Sequence, residues 1–94
     1  MSFELVIVGG GNMGAALLNG LLDGGAVAAE DLAVVEPIES RRFELAEQFD
    51  GVTVTDRPPD CVSAVLAVKP PDVPAVAGAV VAAGARRMLS VAAG

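Results

Sequence analysis

Hydrophobic positions along this chain keep two alternating rhythms. Short apolar runs alternate with longer stretches in which apolar residues recur every three to four positions. Phe3-Glu4-Leu5-Val6-Ile7-Val8 reads as a first strand. From Met13 to about Asp23 the pattern predicts a helix, with Gly14, Leu17, Leu18 and Leu21 on one face and Gly24-Gly25 as its stop. Leu32-Ala33-Val34-Val35 predicts a second strand. Glu39 to Phe49 predicts a second helix, with Phe43, Ala46 and Phe49 at helical spacing and Glu44, Glu47 and Gln48 solvated; Pro37 precedes it. Val52-Thr53-Val54 predicts a third strand and Arg57-Pro58-Pro59-Asp60 a loop too short for a helix. Val62 to Val68 is continuously apolar, the pattern of a strand buried on both faces. Pro71 to about Ala83 predicts a helix, and Met88-Leu89-Ser90-Val91 a fifth strand.

Strands alternating with helices imply right-handed crossovers and a parallel sheet. The expected fold class is α/β, a Rossmann-like doubly wound parallel sheet of about five strands in the order 3-2-1-4-5, as one domain over residues 1–94. Such sheets bind ligands outside the carboxyl ends of their strands. Those ends are Gly9–Gly14, Glu36-Pro37, Thr55-Asp56-Arg57, Lys69-Pro70 and Ala92-Ala93-Gly94. The opposite rim, with Gly24-Gly25, Glu30-Asp31, Asp50-Gly51, Asp60 and Arg86-Arg87, is ordinary by comparison.

The first rim carries the most specific motif. Gly9-Gly10-Gly11-Asn12-Met13-Gly14 places Gly9, Gly11 and Gly14 in the G-x-G-x-x-G register, directly between a predicted strand and a predicted helix. Gly9 would make the tight exit from the strand. Gly11 would let the backbone approach a pyrophosphate, and Gly14 would let helix and strand pack closely. Amides at the helix start, backed by the helix dipole, suit the phosphates. A tight turn without a ligand is the competing explanation, but it needs only one glycine.

Composition narrows the class. Hydrophobic content is 53% and aromatic content 3%, so the core is built from Ala, Val and Leu, as in helix-covered parallel sheets. A net charge of −6 argues against nucleic acid or an anionic membrane as partner. Cys61 is the single cysteine and there is no histidine, so an internal disulfide, a zinc-ligand cluster and the usual Ser-His-Asp or Cys-His systems are all excluded. A reducing cytoplasm is the expected location. Glu4 in the first apolar run and the lack of a basic leader argue against a signal peptide, and Val73 to Ala85 is too short to span a bilayer. Cys61, away from the glycine rim and without a basic neighbour, is expected to be buried and inert.

Glu36 ends the second strand about twenty residues past the glycine motif, where a carboxylate accepts hydrogen bonds from the adenine ribose of NAD. Set about 4 Å from a 2′-phosphate, it would cost about 4 kcal/mol per charge pair at an effective dielectric of 20. Ser40, Arg41 and Arg42 lie close enough to offset this, because a guanidinium clamps phosphate. A solvated helix face with ion pairs to neighbouring glutamates is nevertheless the favoured assignment for the two arginines, and Glu36 itself has a solvated-charge alternative. The sum is a lean to NADH. Lys69, held extended by Pro70, suits the cofactor phosphates or an anionic substrate, against the alternative of a plain surface lysine. Asp56 and Arg57 would touch adenine or ribose, or simply pair with each other. Met13 by default packs beneath its helix.

Together Gly9-Gly10-Gly11-Asn12-Met13-Gly14, Ala67-Val68-Lys69-Pro70 and Ser90-Val91-Ala92-Ala93-Gly94 resemble, in order and spacing, the N-terminal half of pyrroline-5-carboxylate reductases, which reduce a cyclic imine to proline with NAD(P)H. The resemblance covers essentially the whole chain. It implies that Gly9 to Gly14 hold the pyrophosphate and that Ala67, Val68, Lys69 and Pro70 line the nicotinamide nucleotide. It also implies that Ala92, Ala93 and Gly94 pass close to the nicotinamide. Family members often carry Ser, Thr or Arg where this chain has Glu36. They also have a second, helical, dimer-forming domain that supplies most of the imino-acid site. Nothing in these residues corresponds to it, so the expectation is a piece of a longer reductase that binds nucleotide without turning over alone, and forms homo-oligomers only with that domain. A stand-alone nucleotide-sensing module without catalysis is the alternative. It would share the glycine loop and Glu36 but have no use for Lys69-Pro70.

Overall fold

The computed structural model describes residues 2–91. Strands β1 (Phe3–Val8), β2 (Leu32–Val35), β3 (Thr53–Thr55), β4 (Cys61–Leu66) and β5 (Arg87–Ser90) form one sheet ordered β3-β2-β1-β4-β5. Every pairing is parallel, with Val6 of β1 facing Ala33 on one side and Ala64 on the other. This is the doubly wound Rossmann-like order inferred from the alternation of patterns. Helices α1 (Asn12–Asp23) and α2 (Glu39–Gln48) follow β1 and β2, and α3 (Val73–Ala82) joins β4 to β5.

Alternation along β1 divides the core into two layers. Ile7 joins Leu32 and Val34 beneath Leu18 of α1 and Leu45 of α2. Val6 and Val8 join Ala33, Val35, Ala64 and Leu66 beneath Val80 of α3. Leu18, Leu45 and Val80 are fully buried, and each such side chain contributes about 1.5–3 kcal/mol. The layers fix all three helices against the sheet, and because every strand runs parallel the three helix-opening loops meet on one rim.

Several expectations need correction. The inward face of α2 is Leu45 with the capping Phe49, not Phe43 and Ala46; Phe43 is 63% exposed. α2 follows β2 out towards the edge strand, so a residue two positions off that face overhangs β3. β4 is not buried on both faces: Val62 is 36% exposed, and Ser63 and Val65 are half-buried. Val65 pairs with Leu89 of β5, which is 62% exposed, because no helix among the described residues covers this part of the sheet on the α1 side. The fifth strand begins at Arg87, the third at Thr53, and the fourth runs from Cys61 to Leu66. Pro70–Asp72 forms a 3-10 turn that runs on into α3, as suits prolines at a helix start. Burial, then the nearby charge of Asp60, pushes the Cys61 thiol up, which keeps it in its unreactive neutral form.

Candidate functional site

The carboxyl ends of β1, β2 and β4 open onto a groove of about 930 Å³. Its floor is the glycine loop, one wall is Glu36-Pro37-Ile38, and the other is Ala67-Val68-Lys69. The loop leaves β1 as an extension of the sheet, with the Gly9 N–H donating to the Val35 carbonyl at 2.8 Å. Gly9 then takes φ +109°, and a Cβ there would collide with the Ala67 carbonyl. A Cβ on Gly14 would run into the Gly9 carbonyl, so α1 crosses β1 at a separation only glycine permits.

Gly11 is different. It takes φ −74° and ψ −163°, a conformation open to any residue, and among the described residues a Cβ added there meets no atom beyond its chain neighbours within 4 Å. Neither backbone strain nor packing within the chain explains this glycine; the space beside it is groove. Gly11 caps α1 without any side-chain hydrogen bond, so the amides of the first turn are left facing the same space. A cradle of that form, at the positive end of a helix, fits a diphosphate.

Glu36 is buried at 6% exposure and is not a solvated charge. Its Oε1 accepts from the Gly10 N–H at 3.1 Å and its Oε2 from the Ile38 N–H at 2.8 Å. Arg41 donates from Nε to the Gly10 carbonyl and pairs through its NH1 with Glu44 at 3.4 Å. Arg42 donates to the carbonyls of Glu36 and Pro37 at 2.9 and 2.8 Å. The solvated-face assignment for the two arginines is therefore overturned; only the Glu44 pair matches it. Periodicity could have signalled this, because Arg41, Leu45 and Phe49 stand at i, i+4 and i+8.

Met13 is 39% exposed and lines the groove, so its default placement beneath the helix does not hold. Asn12 also lines the groove. Lys69 is exposed on the far wall and makes no ion pair among the described residues. Pro70 opens the turn behind it. Ala92, Ala93 and Gly94 lie outside the described residues.

A second hollow was not anticipated. The chain crosses from β3 to β4 through a short loop instead of a helix, which leaves a cavity of about 400 Å³ between that loop and α3. Asp56, Arg57 and Pro58 face Ala75, Val76 and Ala79 across it, over Val8 and Val35. It shares Gly9, Pro37, Val68 and Asp72 with the larger groove, so the two are continuous. Asp56 and Arg57 pair with each other at 3.9 Å on its rim.

A parallel sheet in this order, with a glycine loop and bare helix amides at the switch point, defines a dinucleotide-binding domain of the Rossmann type. Residues 4–94 match the family described as NADP oxidoreductase, coenzyme F420-dependent, and the chain belongs to that family. It is also similar to the pyrroline-5-carboxylate reductase of Mycobacterium leprae (strain TN), with 40% identity over 84 residues. That alignment covers 87% of this chain and 28% of the relative, so the chain spans well under half of that protein's length. No helix among the described residues is long and apolar enough to cross a membrane.

Proposed function

We propose that this chain binds the cofactor of a pyrroline-5-carboxylate reductase, an enzyme that reduces the cyclic imine to proline, and that it prefers NADH. The vacant Cβ position of Gly11, beside uncapped helix amides, is the observation that carries the assignment. The diphosphate would lie on Gly9 to Gly14. Adenine would enter the apolar cavity between Pro58 and Ala79, which leads off the groove at Pro37. The nicotinamide end would run past Ala67, Val68, Lys69 and Pro70 towards 92–94. When bound, the reduced nicotinamide supplies a hydride; the residues present here orient it and supply charge. Lys69 is placed to meet a cofactor phosphate or the carboxylate of a small imino acid. The 40% identity to a reductase of that name supports the substrate. A reducing cytoplasm, suited to a lone buried thiol, is the proposed location.

Calorimetric titration tests this directly. ADP-ribose and NADH are expected to bind with Kd near micromolar, about −8 kcal/mol. No saturable binding of either would end the proposal.

Cofactor preference has its own test. A 2′-phosphate on the adenine ribose would face the buried Glu36 carboxylate at a cost of about 4 kcal/mol per charge pair, before screening by salt. Glu36→Gln removes that charge while keeping one oxygen acceptor for a backbone N–H. The ratio of NADPH to NADH affinity is expected to rise by about tenfold or more, and Glu36→Ser should move it the same way. An unchanged ratio in both variants would remove Glu36 as the discriminating residue.

A further inference from the structure

We propose that Arg41 is a positioning residue that presets the glycine loop for the diphosphate, and is not a ligand for a 2′-phosphate. This rests on the dinucleotide assignment above and concerns how that same site is kept in shape.

Gly10 lies between Gly9 and Gly11, and all three border the groove. Both of its backbone polar groups are held by side chains distant in sequence: its N–H by Glu36 Oε1 and its carbonyl by Arg41 Nε. The position where a Cβ would stand is filled by Leu45 and by the Glu36 stem. Gly10 therefore cannot turn in either direction without breaking a charge-assisted hydrogen bond or displacing a core leucine. Three consecutive glycines would otherwise sample many conformations, and binding would be weakened by the fraction of loops not in the receptive form.

Arg41 is built for this position. It stands one helical turn before Leu45 on the inward face of α2, with its side chain only 26% exposed. Glu44 engages its NH1 on the outer side. Neither Arg41 nor Arg42 lines the 930 Å³ groove, where a phosphate-clamping guanidinium would have to present its fork. Arg42 instead secures the carbonyls of Glu36 and Pro37, which steadies the strand end that carries the other half of the clamp.

Arg41→Met and Arg41→Lys distinguish the two roles, using calorimetry with ADP-ribose, NADH and NADPH and NMR hydrogen exchange in the nucleotide-free chain. Both variants are expected to weaken all three ligands by a common factor of about tenfold, leaving the NADPH-to-NADH ratio unchanged. Lysine should not rescue, because its ammonium does not reproduce the Nε–H geometry. Exchange at the Gly10 amide, which Glu36 holds, should accelerate while amides of β1 and β4 keep their protection, which a general loss of stability would not produce. Selective weakening of NADPH, with lysine restoring it, would overturn the proposal in favour of a phosphate ligand. Unchanged affinities with unchanged loop exchange would overturn it outright. If the unsubstituted chain bound none of the three ligands, the dinucleotide assignment would fail together with the ligand role of Arg41. The exchange measurement would still decide whether Arg41 holds the loop.

Discussion

Gly14→Ala is expected to lower the melting temperature of this chain by roughly 12–24 °C. The added methyl would occupy the space of the Gly9 carbonyl oxygen, where α1 crosses β1. Overpacking a core costs about 1–3 kcal/mol when side chains can give way. Here the obstructing atom is main chain, and Gly9 is itself held by the Val35 carbonyl and abuts Ala67, so relief requires moving helix against sheet. A loss of about 3 kcal/mol is the upper end of that range, and each kcal/mol shifts Tm by about 4–8 °C in a domain this small. Gly20→Ala supplies the control. It lies on the same helix, is exposed, and has no atom within 4 Å of its added Cβ. That change should stabilise by up to about 1 kcal/mol through helix propensity alone. Thermal unfolding of the two variants side by side should give shifts of opposite sign. A Gly14→Ala protein that melts with the parent would mean that α1 does not sit this close to β1.

The contrast between those two glycines marks where sequence is informative and where it is not. The strand order was legible because three-to-seven-residue runs alternating with helical periodicity admit few topologies, and the glycine register located the switch point. Face assignments were less secure. On α2, Phe43, Ala46 and Phe49 have a plausible helical spacing, yet the sheet is met by Leu45 and Phe49, and Phe43 is left in solvent. Periodicity gave two overlapping stripes, and only the position of α2 near the edge of the sheet chooses between them. β4 likewise has the composition of a doubly covered strand. Whether both faces are covered depends on what lies beside it, which its own residues do not encode.

At the site, the locations of the groove residues were readable and their interactions were not. Glu36 was identified from its place at the end of β2, but of its two backbone partners Ile38 comes from the turn after that strand and Gly10 from the loop after β1, 26 residues away. Arg41 and Arg42 have glutamates within helical reach, so a solvated face was the economical assignment. The carbonyls they actually serve belong to loops that come together only in the folded sheet. The cavity facing α3 had no sequence signal beyond the brevity of the β3–β4 connection, since an absent helix becomes visible only when the surrounding surface is seen.

Gly11→Ala is expected to weaken ADP-ribose and NADH by about a hundredfold while leaving the fold as stable as before. Its backbone angles suit alanine, and among the described residues the new methyl meets nothing beyond its chain neighbours within 4 Å. Alanine is a poorer helix cap than glycine, by about 0.5–1 kcal/mol. Removing a glycine restricts the unfolded chain and returns about 0.4–1 kcal/mol, so the two effects nearly cancel. The methyl would, however, stand where the diphosphate must approach the amides of the first turn of α1. Displacing the ligand from those donors by a carbon radius forfeits charge-assisted hydrogen bonds, and a hundredfold corresponds to about 2.8 kcal/mol at 1.4 kcal/mol per decade. Melting curves and calorimetry on one preparation separate the two quantities. An unaltered Kd would place the diphosphate elsewhere on the rim, because nothing else among the described residues requires residue 11 to lack a side chain.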